Sequence, residues 1–325
     1  MSKVLIDRRE FLARSGSCAA HLALAASFMP AAARAAWARP RGRVVAREPF
    51  GNLEKLTDGV WAMISTPLGG DRTTVSNGGI IAGRNAVLAI EGFQTPNGAQ
   101  WLAGKAKELT GRWPTHIALT HYHSDHANGV AGYLTASDHP LVRSTARTRD
   151  LVIERNTPAD PARAAAVQGA TLLNGSDVST LDLGGRTVRV VPRSGHTESD
   201  VSLELDDPSI VFCGDLLWNA MFPNFVDAMP SKLNASVHAL RRERETLYVP
   251  GHGALAHAPE YDRYVAMLGE VEHAARAAHA AGASATEAGN AFMLPASVGD
   301  WALFNPASKA FYQRAFEAWY KELKA

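Results

Sequence analysis

Cysteine, net charge and long apolar runs are all scarce in this chain, and each scarcity excludes something. Its 325 residues include two cysteines, Cys18 and Cys213, too few for a disulfide framework. Lys and Arg number 33 against 32 Asp and Glu, so no strong field draws the protein to nucleic acid. The most apolar stretch, an Ala-rich run ending near Ala33, is broken by His21 and Pro30 and flanked by Arg14 and Arg34. It is short and weak for a membrane span. What remains is ordinary globular composition, 46% hydrophobic and 20% charged, sufficient for one large domain or two modest ones.

The N-terminus reads as a targeting segment. Asp7-Arg8-Arg9-Glu10-Phe11-Leu12 sets paired arginines before the Ala-rich run, which resembles a twin-arginine export signal. Residues 1–35 are therefore expected to be a signal peptide, cut after Ala35 in Ala33-Arg34-Ala35. The mature protein is expected to be periplasmic or secreted, with no stable membrane association. Removal takes away five basic residues (Lys3, Arg8, Arg9, Arg14, Arg34) and two acidic ones (Asp7, Glu10), so the formal charge falls from +1 to −2. Cys18 leaves with the signal, and rigidity must come from something other than a disulfide, in part from a metal site. Residues 36–52, rich in Arg and Pro in their first part, read as a linker or N-terminal arm before a folded domain over 53–325.

Within that domain, Val60–Ile64, Gly79–Ala82 and Ala86–Ile90 are strand-like, the last two joined as a hairpin through Gly83-Arg84-Asn85. Ala99–Leu109 has helical period and Gly111 can end it. His116–Thr120 is a short strand, and a helix is expected from Gly129, with others at Ala146–Arg155 and Pro161–Gln168. Strands resume at Thr187–Val191, Val201–Leu205, Ile210–Cys213 and Leu247–Val249. Helices are expected at Leu233–Arg244, Pro259–Ala280 and Pro306–Leu323. This order suggests two β-rich halves with helices packed outside.

The chemistry concentrates in Thr120-His121-Tyr122-His123-Ser124-Asp125-His126, directly after a strand. In extended backbone His121 and His123 point to one side, so both imidazoles can reach one metal. Asp125 and His126, where the chain turns, can aim at a second metal close by, and imidazole with carboxylate suits hydrolytic zinc. A lone histidine is more often a surface or core residue, but His and Asp this dense would be costly to bury without a cation.

These residues match a known pattern. The H-x-H-x-D-H run resembles the signature of the metallo-β-lactamase superfamily, and Gly195-His196-Thr197, Phe212-Cys213-Gly214-Asp215 and Pro250-Gly251-His252-Gly253 resemble its later motifs in order, over roughly residues 53–280. The resemblance implies an α/β fold, an αββα sandwich of two mixed sheets flanked by helices, with a C-terminal helical extension. It implies two zinc ions per chain, with iron or manganese as alternatives. His121, His123 and His196 would hold the first, Asp125, His126 and His252 the second, and Asp215 would bridge them. Asp125 would also be catalytic, orienting a metal-bridging hydroxide.

The implied activity is hydrolysis of a small-molecule ester, thioester, lactone or amide. Asp215 shifts weight away from a dedicated β-lactamase toward glyoxalase II-type thioesterases and lactonases, while export pulls toward β-lactam targets. A mononuclear iron persulfide dioxygenase-like oxidoreductase and a non-catalytic metal-binding module are further alternatives. The aromatic loop after Asp215, with Trp218, Phe222 and Phe225, reads either as a substrate wall or as core packing, and so do Trp301 and Phe304. Glu91 reads either as a solvated or capping carboxylate or as support behind a ligand. Cys213 reads as a buried structural thiol. His116, His139, His238, His257, His273 and His279 have no motif support.

Overall fold

Residues 42–136, 140–305 and 308–324 are described by a computed structural model. The expected signal at 1–35, the first residues of the arm and His139 lie outside the described residues. The first sheet takes eight strands in chain order: β1 (Arg43–Glu48), β2 (Gly51–Thr57), β3 (Val60–Ser65), β4 (Gly78–Ala82), β5 (Val87–Ile90), β6 (His116–Ala118), β7 (Leu141–Thr145) and β8 (Thr171–Leu173). They pair antiparallel from β1 to β5 and parallel from β5 to β8. The second sheet holds β9 (Ser179–Asp182), β10 (Thr187–Arg193), β11 (Asp200–Leu205), β12 (Ile210–Asn219) and β13 (Leu247–Gly253), ordered β13-β12-β11-β10-β9. Only β12 and β13 run parallel in it.

Successive side chains point to opposite faces of a strand, and because both faces here are covered these strands are apolar on both. In β3, Val60, Ala62 and Ile64 face the core between the sheets, whereas Trp61 and Met63 face outward to the first helical layer. In β5, Leu88 and Ile90 face inward, and Val87 and Ala89 outward. In β12, Ile210 and Phe212 join the inter-sheet core, while Val211 and Cys213 meet the second helical layer. Gly79 on β4 lies opposite Phe212, and a Cβ there would stand 2.4 Å from the Phe212 ring.

Helices cover both outer faces. Those over the first sheet are α1 (Pro96–Thr110), α2 (Ser124–Ala127), α3 (Ala131–Ala136), α4 (Ala146–Arg155) and α5 (Pro161–Gln168). Those over the second are α6 (Pro230–Leu240), α7 (Ala258–Ala280), α8 (Ala285–Ala291) and α9 (Ala310–Leu323), whose buried residues join Val211 and Cys213 in one cluster. Thr95 caps α1, and Gly111 ends it in the left-handed region at φ 75°, as expected from its position. The result is the four-layer αββα sandwich. Among the described residues no helix is long and apolar enough to cross a membrane.

Several boundaries differ from the sequence reading, three of them with a structural consequence. The described part of the expected arm is β1 and the start of β2, so the sheet begins at Arg43, not at residue 53. Strand β12 continues six residues beyond Cys213, to Asn219, and stays buried throughout. Helix α6 stops at Leu240, because the charged residues after it find partners off the helix: Arg241 pairs with Asp262 at 2.7 Å and Arg242 with Asp206 at 2.6 Å.

Because Phe212 fills the space left by Gly79 at the centre of the inter-sheet core, Phe212→Ala should cost about 3–5 kcal/mol of unfolding free energy. Chemical denaturation would measure it, and Val178→Ala, at an exposed position, should change stability by less than about 0.5 kcal/mol.

Candidate metal centre

The His-rich segment changes conformation midway, and this aims its four side chains. The chain leaves the sheet after Ala118, and His123 caps α2 with extended torsions (φ −54°, ψ 149°). His121 thus projects from the bend after the strand and His123 from extended backbone, while Asp125 and His126 project from a helical turn closed by His126 N–H donating to His123 O at 3.0 Å. His196 follows β10, where Asp200 accepts from the His196 and Thr197 amides and the Thr197 hydroxyl. Asp215 sits on β12 where the pairing with β13 shifts register on both sides of Gly214. His252 lies near the end of β13.

All seven residues named from the sequence converge. Nitrogens or oxygens of His121, His123, His196 and Asp215 lie within 4.8 Å of one another, and so do those of Asp125, His126 and His252. Asp215 faces both groups. Its Oδ2 is 3.2 Å from His196 Nε2 and 3.9 Å from His121 Nε2, and its Oδ1 is 3.0 Å from His126 Nε2 and 3.4 Å from His252 Nε2. Gly251 makes room for that carboxylate, since a Cβ there would stand 1.9 Å from Asp215 Oδ1.

A metal fits this donor set. His126 Nε2, His121 Nε2 and Asp215 Oδ1 are buried, close together and make no hydrogen bond, so their short contacts are misaligned atoms aimed at common points. Buried imidazole and carboxylate left this way are costly unless a cation takes their lone pairs. The electrostatics agree. Burial opposes ionisation of Asp215, but His126, His252 and His196 outweigh it and hold the carboxyl well below its usual range. Burial likewise opposes a proton on His252, but Asp215 and Asp125 outweigh it and push the pKa up to about 9.

A surrounding layer sets the rings. Thr120 Oγ1 lies 3.0 Å from His121 Nδ1 and donates to Glu91, and Glu91 Oε1 is 3.1 Å from His126 Nδ1. Glu91 is therefore support behind the imidazoles, not a solvated carboxylate. It is buried with φ 74°, a strained backbone for a residue with a Cβ. Asp227 accepts from His123 Nε2 at 3.0 Å, and that bond draws its carboxyl down to about 2. Asn77 ties β13 to the first sheet, donating to Pro250 O at 2.9 Å and Gly253 O at 2.8 Å while accepting from Ser65 N–H. Asp227, Asn77 and Asp200 had no signal in the sequence, because each acts alone and belongs to no local pattern.

A cleft of about 630 Å³ opens over Asp125, Asp215 and His252. Trp218 lines it, its ring 4.0 Å from the His252 ring, and Phe304 stands 5.3 Å from the same imidazole. Arg72 and Arg155 line it as well. Phe222 does not: it is fully buried against Tyr312, because the loop turns inward after Asn219. Phe225 borders a neighbouring cavity, and Trp301 packs on Tyr264 in the core. Cys213 points away from the site, and burial raises its thiol pKa well above the ordinary value. Among the described residues neither His116, His238, His257, His273 nor His279 joins either group.

The raised pKa of His252 has a consequence for metal-free protein. A group protonated more readily in the folded state stabilises it below the ordinary value of 6.5, and that contribution fades as pH climbs through about 9. Chelated protein should lose melting temperature between pH 6.5 and 9. Added zinc should stabilise most at the upper end, where it no longer competes with that proton. Scanning fluorimetry across this window checks both, and a melting temperature of chelated protein that rises with pH would contradict the assignment.

Comparison with known proteins agrees with this geometry. The family model described as "Metallo-beta-lactamase superfamily" matches residues 92–252. A protein named hydroxyacylglutathione hydrolase from Acidiphilium cryptum is 30% identical over 207 residues, 63% of this chain and 76% of that protein. One of the same name from Cupriavidus taiwanensis is 31% identical over 197 residues, 58% and 68% respectively. Among solved structures, a metallo-beta-lactamase from Erythrobacter litoralis aligns with a TM-score of 0.56 at 18% identity, covering 69% of this chain and 99% of that one. A sec-alkylsulfatase from Pseudomonas sp. aligns at 0.69 and 12% identity, covering 92% and 61%. These two likenesses carry the fold alone, whereas the sequence relatives carry more: the chain belongs to the metallo-beta-lactamase superfamily of hydrolases.

Proposed function

We propose that this protein is a dinuclear zinc hydrolase that cleaves a small-molecule thioester or a closely related ester, lactone or amide. The observation that carries the reading is Asp215, whose two carboxylate oxygens are each turned to a different group of imidazoles. A single-metal site has no need of the second group, so its completeness favours hydrolysis over mononuclear iron oxidation, and over a β-lactamase lacking this carboxylate. The relatives named hydroxyacylglutathione hydrolase favour a thioester as the first substrate to test. Two zinc ions held there would supply Lewis acidity and a water acidic enough to attack near neutral pH.

The chain's own residues do the remaining work. Asp125 lines the cleft with its Oδ2 3.2 Å from His252 Nε2. Burial opposes its charge, but His126 and His252 hold its carboxyl far below the usual range, so it accepts hydrogen bonds at working pH and can orient an attacking water. Trp218 and Phe304 give the cleft an apolar side against which a substrate can lie, and Arg72 and Arg155 add positive charge to its lining. With the expected signal removed, we place the mature enzyme in the periplasm or outside the cell.

The reading is tested with the purified protein, its metal content measured, on an acyl-glutathione thioester, aryl esters, lactones and nitrocefin side by side. Two zinc ions per chain and turnover of the thioester at least tenfold above nitrocefin are expected. One iron per chain with oxygen uptake would overturn it. Asp125→Ala, assayed at saturating zinc, should keep its fold by circular dichroism and lose about 10²–10⁴-fold in turnover. Full activity in that variant would remove Asp125 from the mechanism.

A further inference from the structure

The three histidines of the first group are not held alike. His121 and His196 are 1% exposed and fixed by packing, and His121 is bonded through Thr120 as well. His123 is 14% exposed and stands at the cleft wall. A ring in that position can turn, and it can carry its proton on either nitrogen. Only a ring with the proton away from the centre offers a lone pair to a cation.

Its outward nitrogen, Nε2, meets Asp227 Oδ2 at 3.0 Å. A carboxylate there only accepts, so Nε2 carries the hydrogen and Nδ1, 2.9 Å from His196 Nε2, is left bare toward the group. Asp227 is in turn tied down from two sides. The Tyr122 hydroxyl donates to the same oxygen, and Arg155 Nη1 lies 3.2 Å from Oδ1. Arg155 comes from α4 and also stacks over the Tyr122 ring at 5.7 Å. The aromatic loop after β12 thus delivers an acid to the one imidazole that packing does not hold.

We propose that Asp227 is the positioning residue of the first metal group, fixing the tautomer and orientation of His123. The proposal rests on the two-metal reading above. An alternative role is structural: Asp227 could serve only to anchor its loop through Arg155. The two roles separate by mutation, because Arg155→Gln breaks the ion pair and leaves the bond to His123.

The test is zinc binding rather than turnover. Wild type, Asp227→Ala, Asp227→Asn, Arg155→Gln and Tyr122→Phe are stripped of metal and titrated with zinc against a chromogenic chelator. Wild type should take up two equivalents. In Asp227→Ala one equivalent should weaken by about 10–100-fold while the other is unchanged. Asp227→Asn, which keeps an acceptor oxygen, should fall between the two, and it carries the same test if the alanine variant fails to fold. Arg155→Gln and Tyr122→Phe should stay within about threefold of wild type, given that they leave the accepting carboxylate in place. Two wild-type affinities in both Asp227 variants would overturn the proposal, as would an Arg155→Gln loss equal to that of Asp227→Ala. Fewer than two equivalents in wild type would instead overturn the two-metal reading beneath it.

Discussion

A buried carboxylate whose charge has to be met by surrounding imidazoles is the constraint around which this protein is arranged. Asp215 is 4% exposed and lies between imidazoles contributed by both sheets. Burying such a charge in a protein interior is unfavourable by several kcal/mol unless positive charge faces it. Local features of β12 and β13 follow from that need. The strands slip register beside Gly214, and Gly251 carries no side chain because Asp215 occupies the space where one would be. Under the proposed two-metal reading, the same carboxylate would offer one oxygen to each cation.

Around the donors, the protein spends its polar residues on orientation. Glu91 serves His126 directly and His121 through Thr120, so a single acid on the first sheet governs one ring in each group. Asp200 shapes the turn that presents His196, and Asn77 straps the His252 segment to the opposite sheet. The left-handed backbone at Glu91 is the visible strain of this arrangement. Such outer hydrogen bonds commonly decide affinity as much as the donors do.

The donors were legible in the sequence, and of their supports only Glu91 was, as one of two readings. Four of the seven fall within six residues, and the others follow in Gly-flanked motifs after strands, so pattern and order both point to them. The strands were equally plain, as in the apolar run Val60–Ile64. Asp227 and Asn77 act across 104 and 173 positions of chain, and no local spacing marks them. The aromatic loop stayed ambiguous in the sequence for a related reason. Trp218 and Phe222 are both apolar and only four positions apart, and only the turn after Asn219 decides that one lines the cleft and the other the core. The end of α6 was missed because Arg241 and Arg242 have helix-compatible propensity, and their ion pairs lie on other elements.

The order of the donors along the chain has a consequence for how the protein is made. A growing polypeptide has synthesised His121, His123, His196 and Asp215 before His252 is added, so the first cluster is complete in composition while the second still lacks one arm. The strand that brings His252 is also the one Asn77 clasps from the early half of the chain. The strand that completes the second cluster is thus also the one fastened to the first sheet, and a nascent chain halted before it carries six of the seven donors on an unsealed sheet edge.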